Sequence, residues 1–349
     1  MPSALLGTCA GLLLLAACKF DELPPIQDDA SDDARTDGPE ADAAGDANPD
    51  VDAREPGARC DTVPATCGPA SNESCCATAT TIPAGTFLRS YDLAPDAFND
   101  MNYPASLSSF VLDKYEITVG RYRVFLEAGY GTQARPPADA SGAHPNIAGS
   151  GWHTAWNSNL PVDTAALRTA LKCRLEYQTW TDSPGSNENK ALTCLSWYDA
   201  MAFCIWDGGY LPTEAEWNYA AVGGDAHRTY PWSSPSDSTA IDCTQANFNP
   251  GTPCVGLVSR VGSQSPAGDA RWGHSDLAGN VWEWTLDAWV DPLPLPCSNC
   301  ASVSPTATHR VHRGGSFFYD GVASRGARRE AALPAIRTGD RGARCARAP

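Results

Sequence analysis

Cysteine is the residue type that most constrains how this 349-residue chain can fold, because fourteen cysteines are present. Two lie near the N-terminus, at positions 9 and 18. The other twelve lie further along the chain, and they are Cys60, Cys67, Cys75, Cys76, Cys173, Cys194, Cys204, Cys243, Cys254, Cys297, Cys300 and Cys345. An even number of cysteines in an exported chain predicts up to six disulfides. A single CxxC pair occurs, so disulfides are favoured over structural zinc.

The N-terminus has the pattern of a secretion signal. Residues 4–17 are apolar or small, and positions 15–18 read LAAC. This ending resembles a bacterial lipobox, which predicts a lipoprotein signal peptide over 1–18 and membrane attachment through a lipid on Cys18. The absence of Lys and Arg before the apolar run also allows an ordinary signal peptide that is cut nearby. Lys19 follows the cysteine in place of Asp, which by resemblance to Gram-negative lipoproteins favours the outer membrane of the cell envelope, with the chain facing the periplasm or the surface.

An acidic segment over 19–57 separates the signal from the rest of the chain. Ten Asp and three Glu against three basic residues over 19–55 account for −10 of the total charge of −16. Such a segment buries too little apolar surface to fold, which predicts a disordered linker. Nucleic acid is excluded as a partner, because phosphate binding requires clustered Lys and Arg. A cysteine-rich collar over 58–80 follows and is expected to pack against a main domain at 81–349.

Three helices are predicted in the main domain from N-cap residues that precede apolar residues on one face. They begin after Thr118, Ser196 and Thr213, and an acidic residue three positions beyond the last two completes a capping box. Alternating apolar residues over 110–115 predict a short strand. The remainder is rich in Gly, Pro, Ser and Asn, which predicts short strands at best. The expected fold class is therefore α+β, an irregular mixed α/β domain with low regular secondary structure.

Eight short motifs follow one another through the main domain. They are IPAGTF (82–87), LDKYEIT (112–118), SWYDAMAFC (196–204), LPTEAEW (211–217), YPW (230–232), GNVWEW (279–284), RGGSF (313–317) and GARCAR (342–347). Their order resembles that of the formylglycine-generating enzyme family, also called the sulfatase-modifying factor family. The resemblance covers about 82–347 and implies the family's domain, which is related to C-type lectins.

The resemblance also indicates where the family's chemistry would lie. In the family's oxidases, two cysteines five residues apart bind copper and convert a peptide cysteine to formylglycine with O₂. The matching positions here are Tyr319 and Ser324, and neither side chain ligates Cu(I) well. Arg313 and Ser316 are kept as supporting residues, although Arg313 alternatively serves as a structural ion-pair partner. Copper and formylglycine-generating activity are therefore not expected, and whether the chain is an enzyme stays open.

Calcium is the cofactor that the resemblance implies. Asp276 and Glu283 would supply side-chain oxygens, and Gly279 and Val281 would supply carbonyls, which suits a hard cation. The alternative is that Glu283 only accepts hydrogen bonds from loop amides. A second family calcium site would begin at Asn247 and the carbonyl of Phe248, but the shorter loop that follows lacks the expected Asp.

Four disulfide pairings are expected in the main domain. The resemblance pairs Cys204 with Cys345, and it places a second family disulfide at positions that are Ala221 and Arg329 here. Proximity in sequence suggests three further pairs, which are Cys173 with Cys194, Cys243 with Cys254, and Cys297 with Cys300. In the collar, the neighbouring Cys75 and Cys76 are expected to bond to different partners, because a bond between adjacent residues is strained.

Two functions remain open for such a chain. The first is a binding module, in which a cleft rimmed by the RGGS segment, Tyr319, Phe317 and nearby tryptophans holds an extended peptide or a glycan. The second is a metal-dependent oxidoreductase with a different residue set, similar to the iron-dependent sulfoxide synthases of the same superfamily, in which a tyrosine assists catalysis. Iron is not expected, because His309 and His312 come nearest to a ligand pair and lack i, i+4 spacing on a helix. A monomer is expected.

Overall fold

The computed structural model describes Cys60 and residues 62–78 and 80–349. The predicted signal peptide over 1–18, the lipid site at Cys18 and the acidic linker over 19–57 lie outside the described residues. The described residues belong to one structural unit. None of the helices within them combines the length and the apolar character needed to cross a membrane.

The helices begin where N-cap residues supply a hydrogen-bond acceptor. Their bounds are α1 Val119–Glu127, α2 Thr164–Ala170, α3 Trp197–Trp206 and α4 Glu214–Val222, and 3₁₀ turns cover Thr154–Asn159 and Gly224–Ala226. Thr118, Ser196 and Thr213 are the N-caps of α1, α3 and α4, and the last two complete capping boxes. Gly223 ends α4 with a φ of 69°, a left-handed conformation that glycine adopts without a Cβ clash. The helix α2 was not predicted.

Eight short strands complete the fold. They are β1 Gly85–Leu88, β2 Pro104–Leu107, β3 Val111–Leu112, β4 Trp282–Ala288, β5 Arg310–Arg313, β6 Glu330–Ala332, β7 Arg341–Gly342 and β8 Ala346–Arg347. Two-stranded sheets pair β1 with β2 and β3 with β8, while a four-stranded sheet has the order β6-β5-β4-β7. The predicted strand over 110–115 is thus confined to the two residues of β3.

The four-stranded sheet presents two different faces, because side chains alternate along a strand. Trp282 lies opposite Arg341, Trp284 lies opposite His312, and His312 lies opposite Glu330. Directly paired residues share a face, so these five side chains project from one side of the sheet. Glu283 projects from the other side, together with its partner Arg313.

Three clusters of buried side chains form the core, and each of them contains aromatic rings. One buried cluster joins α1, α3 and β4 through residues such as Tyr122, Trp197 and Trp284. A second surrounds Trp217 of α4, and a third packs the collar cysteines Cys67 and Cys75 against main-domain residues. The collar is therefore attached to the main domain by apolar contacts as well as by its chain connection.

All twelve cysteines among the described residues are disulfide-bonded. The bonds are Cys60–Cys76, Cys67–Cys75, Cys173–Cys194, Cys204–Cys345, Cys243–Cys254 and Cys297–Cys300. The neighbouring Cys75 and Cys76 have different partners, and both bonds lie within the collar. Each main-domain pairing is one that the sequence suggested.

Candidate functional site

A cleft of about 740 Å³ opens on the face of the four-stranded sheet that carries Trp282. We call it the Tyr319 cleft. Strands β4, β5, β6 and β7 each contribute side chains to it, and the loop after β5 closes one side. The residues that line it include Trp282, His312, Phe318, Tyr319, Arg328, Glu330 and Arg341.

The two positions that match the family's copper cysteines have different environments. Tyr319 is 44% exposed and lines the Tyr319 cleft, where its ring meets the ring of Trp282 edge-on at 5.7 Å between centroids. Ser324 is fully buried, and its Oγ donates a hydrogen bond to the carbonyl of Asp320 at 3.4 Å. Burial, followed by the nearby Asp340 carboxylate, raises the pKa of Tyr319, so its phenol stays protonated at neutral pH. Only the first of the two positions faces the cleft.

The aromatic rim of the cleft differs by one residue from the expectation. Phe317, which the sequence suggested for the rim, is buried and packs in the cluster that contains the collar cysteines. Phe318 lines the cleft instead and is 40% exposed. The chain turns after Ser316, whose Oγ accepts a hydrogen bond from the amide of Phe318 at 3.3 Å, and this turn decides which ring points outward.

His312 forms part of the cleft floor, although the sequence treated it as a loop histidine. It lies in β5, is 3% exposed, and is flanked by the rings of Trp282 and Trp284 at 4.8 and 5.4 Å between centroids. Neither ring nitrogen makes a hydrogen bond of ordinary geometry. Burial, and then the Arg341 guanidinium, hold the pKa of His312 well below its usual value, so the imidazole is neutral. His309 is exposed and contacts Thr308.

Arg313 and Ser316 lie behind the cleft and do not line it. The Arg313 guanidinium is buried and donates to Glu214 Oε1 from Nε at 3.1 Å and from Nη2 at 2.8 Å. Its Nη1 donates to backbone carbonyls over 326–328. These contacts fit the structural ion-pair alternative for Arg313. Ser316, also fully buried, stabilises the turn before Phe318.

The position of the second family disulfide carries an ion pair in this chain. Arg329 donates to Glu214 from Nε at 2.7 Å and from Nη2 at 2.9 Å, while Ala221 is fully buried in α4. Although burial opposes ionisation, the Arg313 and Arg329 guanidiniums hold the pKa of Glu214 below its usual value. Glu214 thereby joins α4 to both ends of the segment that borders the cleft.

The loop before β4 is held in an unusual backbone conformation. Asp276, Gly279 and Asn280 have φ angles of 61°, 81° and 57°, which lie in the left-handed region. A Cβ on Gly279 would lie 2.4 Å from the carbonyl oxygen of Asn247, so this close approach requires glycine. The Asp276 carboxylate accepts a hydrogen bond from the amide of Gly262 at 2.6 Å. Burial raises its pKa to about 6.

Glu283 has partners that the sequence did not reveal. Both of its oxygens accept hydrogen bonds from Arg344, from Nε and from Nη2 at 2.7 Å each, and Oε2 also accepts from Trp217 Nε1 at 2.9 Å. All three side chains are fully buried. The predicted alternative, in which loop amides donate to Glu283, is therefore wrong, because side chains donate to it instead. The carboxylate has little remaining capacity to accept a further hydrogen bond.

Glu116 is the site residue that sequence reasoning missed. It is fully buried, its Oε2 accepts from Asn280 Nδ2 at 2.8 Å, and its Oε1 has no partner. Burial, and then the Asp276 and Glu283 carboxylates, raise its pKa well above the usual value. Three buried carboxylates thus surround one guanidinium, that of Arg344, and this excess of hard, negatively charged oxygen suits a divalent cation such as calcium. The one signal in the sequence was the acidic Glu116 between Tyr115 and Ile117. All of the residues over 115–119 are buried in the structure.

The residues of the second expected calcium site are largely engaged in other contacts. Asn247 donates from Nδ2 to the carbonyl of Leu257 at 2.8 Å, and its buried Oδ1 has no partner. The carbonyl of Phe248 accepts from the amide of Cys254 at 3.0 Å, in a loop that the Cys243–Cys254 disulfide closes. A second calcium site stays a prediction.

One further group of potential metal ligands lies among the described residues, and its atoms are already engaged. It consists of Asp113, Asp207 and Cys345. The two carboxylates accept from Arg121 at 2.9 and 2.7 Å and also pair with Arg347, and Cys345 is disulfide-bonded. This group is an ion-pair network that fixes the C-terminus to α1.

The family of the chain follows from a match over most of its length. Residues 65–349 match the family described as sulfatase-modifying factor enzyme 1-like domain. The chain belongs to this family. The match covers the main domain of the sulfatase-modifying factor type and the greater part of the collar.

Known members of the sulfatase-modifying factor family include active and inactive proteins. The chain is 31% identical over 258 residues to a formylglycine-generating enzyme of Thermomonospora curvata, covering 68% of this chain and 81% of the relative. It is 35% identical over 230 residues to the inactive C-alpha-formylglycine-generating enzyme 2 of Bos taurus, covering 60% of this chain and 70% of that relative. The solved structure of PvdO from Pseudomonas aeruginosa has a TM-score of 0.53 at 20% identity and covers 77% of this chain and 93% of PvdO. The expected irregular, C-type-lectin-like fold is confirmed.

Proposed function

We propose that this chain is an envelope-anchored binding protein whose Tyr319 cleft holds an extended peptide, and that it lacks the copper-dependent oxidation of its family. The observation that carries this proposal is the environment of Tyr319 and Ser324. Neither residue has a thiol, and the Ser324 side chain is buried behind the cleft. Two soft ligands on one cavity are what a Cu(I) site requires, and these positions supply neither.

Two properties of the cleft support a ligand site, and a third favours a peptide over a glycan. The volume of about 740 Å³ is that of a ligand site and not of a packing defect. The rings of Phe318 and Tyr319 offer flat apolar surface that is covered with little loss of side-chain entropy. Glu330 and Ala331 of β6 line the cleft, and β6 is one of the two edge strands of its sheet, where an extended chain can add backbone hydrogen bonds.

The proposed anchoring rests on the sequence before the described residues. The LAAC pattern at 15–18 supports lipidation of Cys18, and the acidic segment over 19–57 would act as a solvated tether. The cleft would then be displayed at a distance from the membrane surface. The mass of the N-terminal peptide of the mature protein tests the proposed anchoring, because the proposal requires a diacylglyceryl group on Cys18.

The absence of formylglycine-generating activity is tested with the full chain purified in its oxidised form. We expect no aldehyde when the chain is incubated with copper, O₂ and a peptide that carries a sulfatase-type cysteine. The Tyr319→Cys/Ser324→Cys double variant is expected to gain Cu(I) binding, while each single variant is not, because two thiolates are needed. Aldehyde formed by the unmodified chain would overturn the proposal.

We further propose that Asp276 and Glu116 bind calcium beside the Glu283–Arg344 pair. The unpartnered Oε1 of Glu116, the raised pKa of both carboxyl groups and the left-handed loop that holds Asp276 support this site. Glu283 would act mainly through its charge, because its oxygens already accept hydrogen bonds from Arg344 and Trp217.

Calorimetry after removal of divalent ions by chelation tests the calcium site. Calcium at a hundredfold excess over its Kd is expected to stabilise the fold by about 2.7 kcal/mol, which raises Tm by several degrees. Glu116→Gln and Asp276→Asn are expected to remove this response, whereas Asp237→Asn, at an exposed position, keeps it. A calcium response of the same size in all four proteins would show that the ion binds elsewhere.

A further inference from the structure

We propose that the Cys297–Cys300 disulfide takes part in thiol–disulfide exchange, in which it oxidises a pair of cysteine thiols in an exported protein. The two cysteines form the single CxxC motif of the chain, and CxxC is the spacing of many dithiol oxidants and reductants. Neither cysteine lines the Tyr319 cleft, so the activity does not depend on the binding function proposed above. Arg89, a groove beside the disulfide and the backbone contacts of the CxxC loop (297–300) support it.

Arg89 directs a buried positive charge at one sulfur of the disulfide. Its Nη1 donates a hydrogen bond to Cys300 Sγ at 3.4 Å, and its Nη2 donates to the carbonyl of Pro294 at 2.6 Å. Arg89 is 4% exposed, and among the described residues no carboxylate forms an ion pair with it, although Glu214 and Asp287 act on its charge from a longer distance. A buried charge without a close partner is costly, and a thiolate on Cys300 would supply that partner.

The contact with Arg89 determines the direction in which electrons move. A cation beside a cysteine lowers the pKa of its thiol, and a disulfide whose reduced form is stabilised is a stronger oxidant. Among the six disulfides of the described residues, Cys297–Cys300 is the one in which a sulfur accepts a hydrogen bond from a guanidinium. This disulfide therefore accepts electrons from a partner more readily than the other five.

A groove of about 560 Å³ opens beside the disulfide and gives a partner access to Cys297. Its lining is mainly apolar and comes from β2, Leu295, Pro296 and Cys297. Leu295 is 53% exposed, so the groove can take apolar side chains that flank a cysteine of the partner. Attack on Cys297 is also chemically favourable, because Cys300 then leaves as the thiolate beside Arg89, and a thiol of lower pKa leaves faster.

The CxxC loop is held in place by contacts other than its disulfide. The amide of Ser106 in β2 donates to the carbonyl of Cys297 at 3.0 Å, and the carbonyl of Ser106 accepts from the amide of Asn299 at 2.9 Å. The Asn299 side chain accepts from the amide of Ser108 at 2.7 Å and donates to its Oγ at 3.0 Å. Because the two cysteines lie only three positions apart, opening the bond also frees little of the chain. The reduced loop therefore keeps its position, ready to close again.

The exchange balances between the two proteins. A thiolate of the partner attacks Cys297 Sγ, the bond to Cys300 breaks, and its electron pair stays on Cys300 Sγ. The partner's second cysteine, deprotonated in turn, attacks the partner's own sulfur in the mixed disulfide, and Cys297 leaves and takes up a proton. The partner thus loses two electrons to the CxxC pair and two protons, of which one goes to Cys297 and one to solvent. A small disulfide such as oxidised glutathione restores the original bond.

Equilibration of the full chain with mixtures of reduced and oxidised glutathione tests the expected redox behaviour. Acid quenching, alkylation and peptide mass mapping give the reduced fraction of each disulfide. We expect Cys297–Cys300 to be half reduced in a mixture about tenfold less reducing than the one required by Cys243–Cys254, because the latter is partly exposed but has no guanidinium at its sulfurs. Reduction of both in the same mixture, or of Cys243–Cys254 first, would overturn the proposal.

Oxidation of a reduced peptide tests the exchange itself. The oxidised full chain is mixed without oxygen with a two-cysteine peptide whose cysteines are flanked by apolar residues. We expect the peptide to be oxidised at the expense of the CxxC pair, with Cys300 the first thiol that iodoacetamide labels. The Cys297→Ala/Cys300→Ala variant is expected to lose this activity, and the Cys243→Ala/Cys254→Ala control is expected to keep it. Peptide oxidation that persists in the first variant contradicts the inference.

Replacement of Arg89 assigns the effect to its charge. Arg89→Gln is expected to remove most of the difference between the two disulfides in the glutathione mixtures, because glutamine can donate a hydrogen bond but carries no charge. If Arg89→Gln does not fold, the pH dependence of alkylation in the reduced, unmodified chain decides. The midpoint for Cys300 is expected about one pH unit below that for Cys297, since only Cys300 contacts the guanidinium. A midpoint for Cys300 at or above that for Cys297 would show that Arg89 does not stabilise the thiolate.

Discussion

Removal of the Cys204–Cys345 disulfide by replacing both cysteines with alanine is expected to lower the free energy of unfolding by about 5 kcal/mol. The bond joins α3 to the C-terminal segment across a sequence separation of 141 residues, and both cysteines are fully buried. A cross-link over such a distance restricts the unfolded chain strongly, so its loss stabilises the unfolded state. Reversible urea unfolding, monitored by tryptophan fluorescence, measures the difference.

The Cys297–Cys300 disulfide is the matched control for this prediction. Its cysteines lie three positions apart in the sequence, so the same chain-entropy argument gives about 2 kcal/mol for its removal. Both double variants lose two sulfur atoms and leave no free thiol, so they differ in loop length and in how deeply the removed sulfur atoms are buried. Equal losses of stability would show that loop closure does not govern the contribution of the long-range bond.

Replacement of Arg344 by methionine is expected to cost about 3–5 kcal/mol, because it leaves buried charge without compensation. The Arg344 guanidinium donates to both oxygens of Glu283 and to the carbonyls of Asp113, Lys114 and Ser275. It is also the cation nearest to the partly unpartnered Glu116 carboxylate. Methionine conserves much of the side-chain volume, so the loss reports on charge and hydrogen bonds rather than on a cavity.

Denaturant titration of Arg344→Met and of a surface control separates this effect from a general loss of positive charge. Arg271→Met, at a side chain that is 43% exposed and paired with an exposed Asp225, is expected to stay within about 0.5 kcal/mol of the unmodified chain. Calcium is expected to recover part of the stability lost in Arg344→Met, because it would neutralise the same carboxylates. A loss below about 1 kcal/mol would mean that Glu283 and Glu116 are protonated without cost, contrary to the argument.

Local signals in the sequence were sufficient for much of the regular structure. Ser196 and Thr213 predicted where α3 and α4 begin, because a capping box is formed by residues three positions apart. The helix α2 was missed, although Asp163 caps it in the usual way, because its seven residues bury only Leu167 and give no apolar periodicity.

The candidate site was predictable in its position along the chain but less so in its geometry. The resemblance located Tyr319 and Ser324, yet it did not show that only Tyr319 faces the cleft. Phe318 lines the rim in place of the expected Phe317, and this outcome depends on the turn after Ser316. Such outcomes are set by backbone direction at single residues, for which sequence patterns carry little information.

The sequence by itself determined the family of this protein, its fold class, three of its helix starts and the loss of the paired thiols. Those features depend on residue identity or on spacings of a few positions. The tertiary structure alone decided that Glu116 joins Asp276 and Glu283, and that His312 and Arg341 meet in one cleft. These groups lie far apart along the chain and come together through the pairing of β4 with β5 and β7 and the packing of the loop before β4. Burial then raises the pKa of Glu116 and of Asp276 and lowers that of His312, and burial is a property of the folded chain.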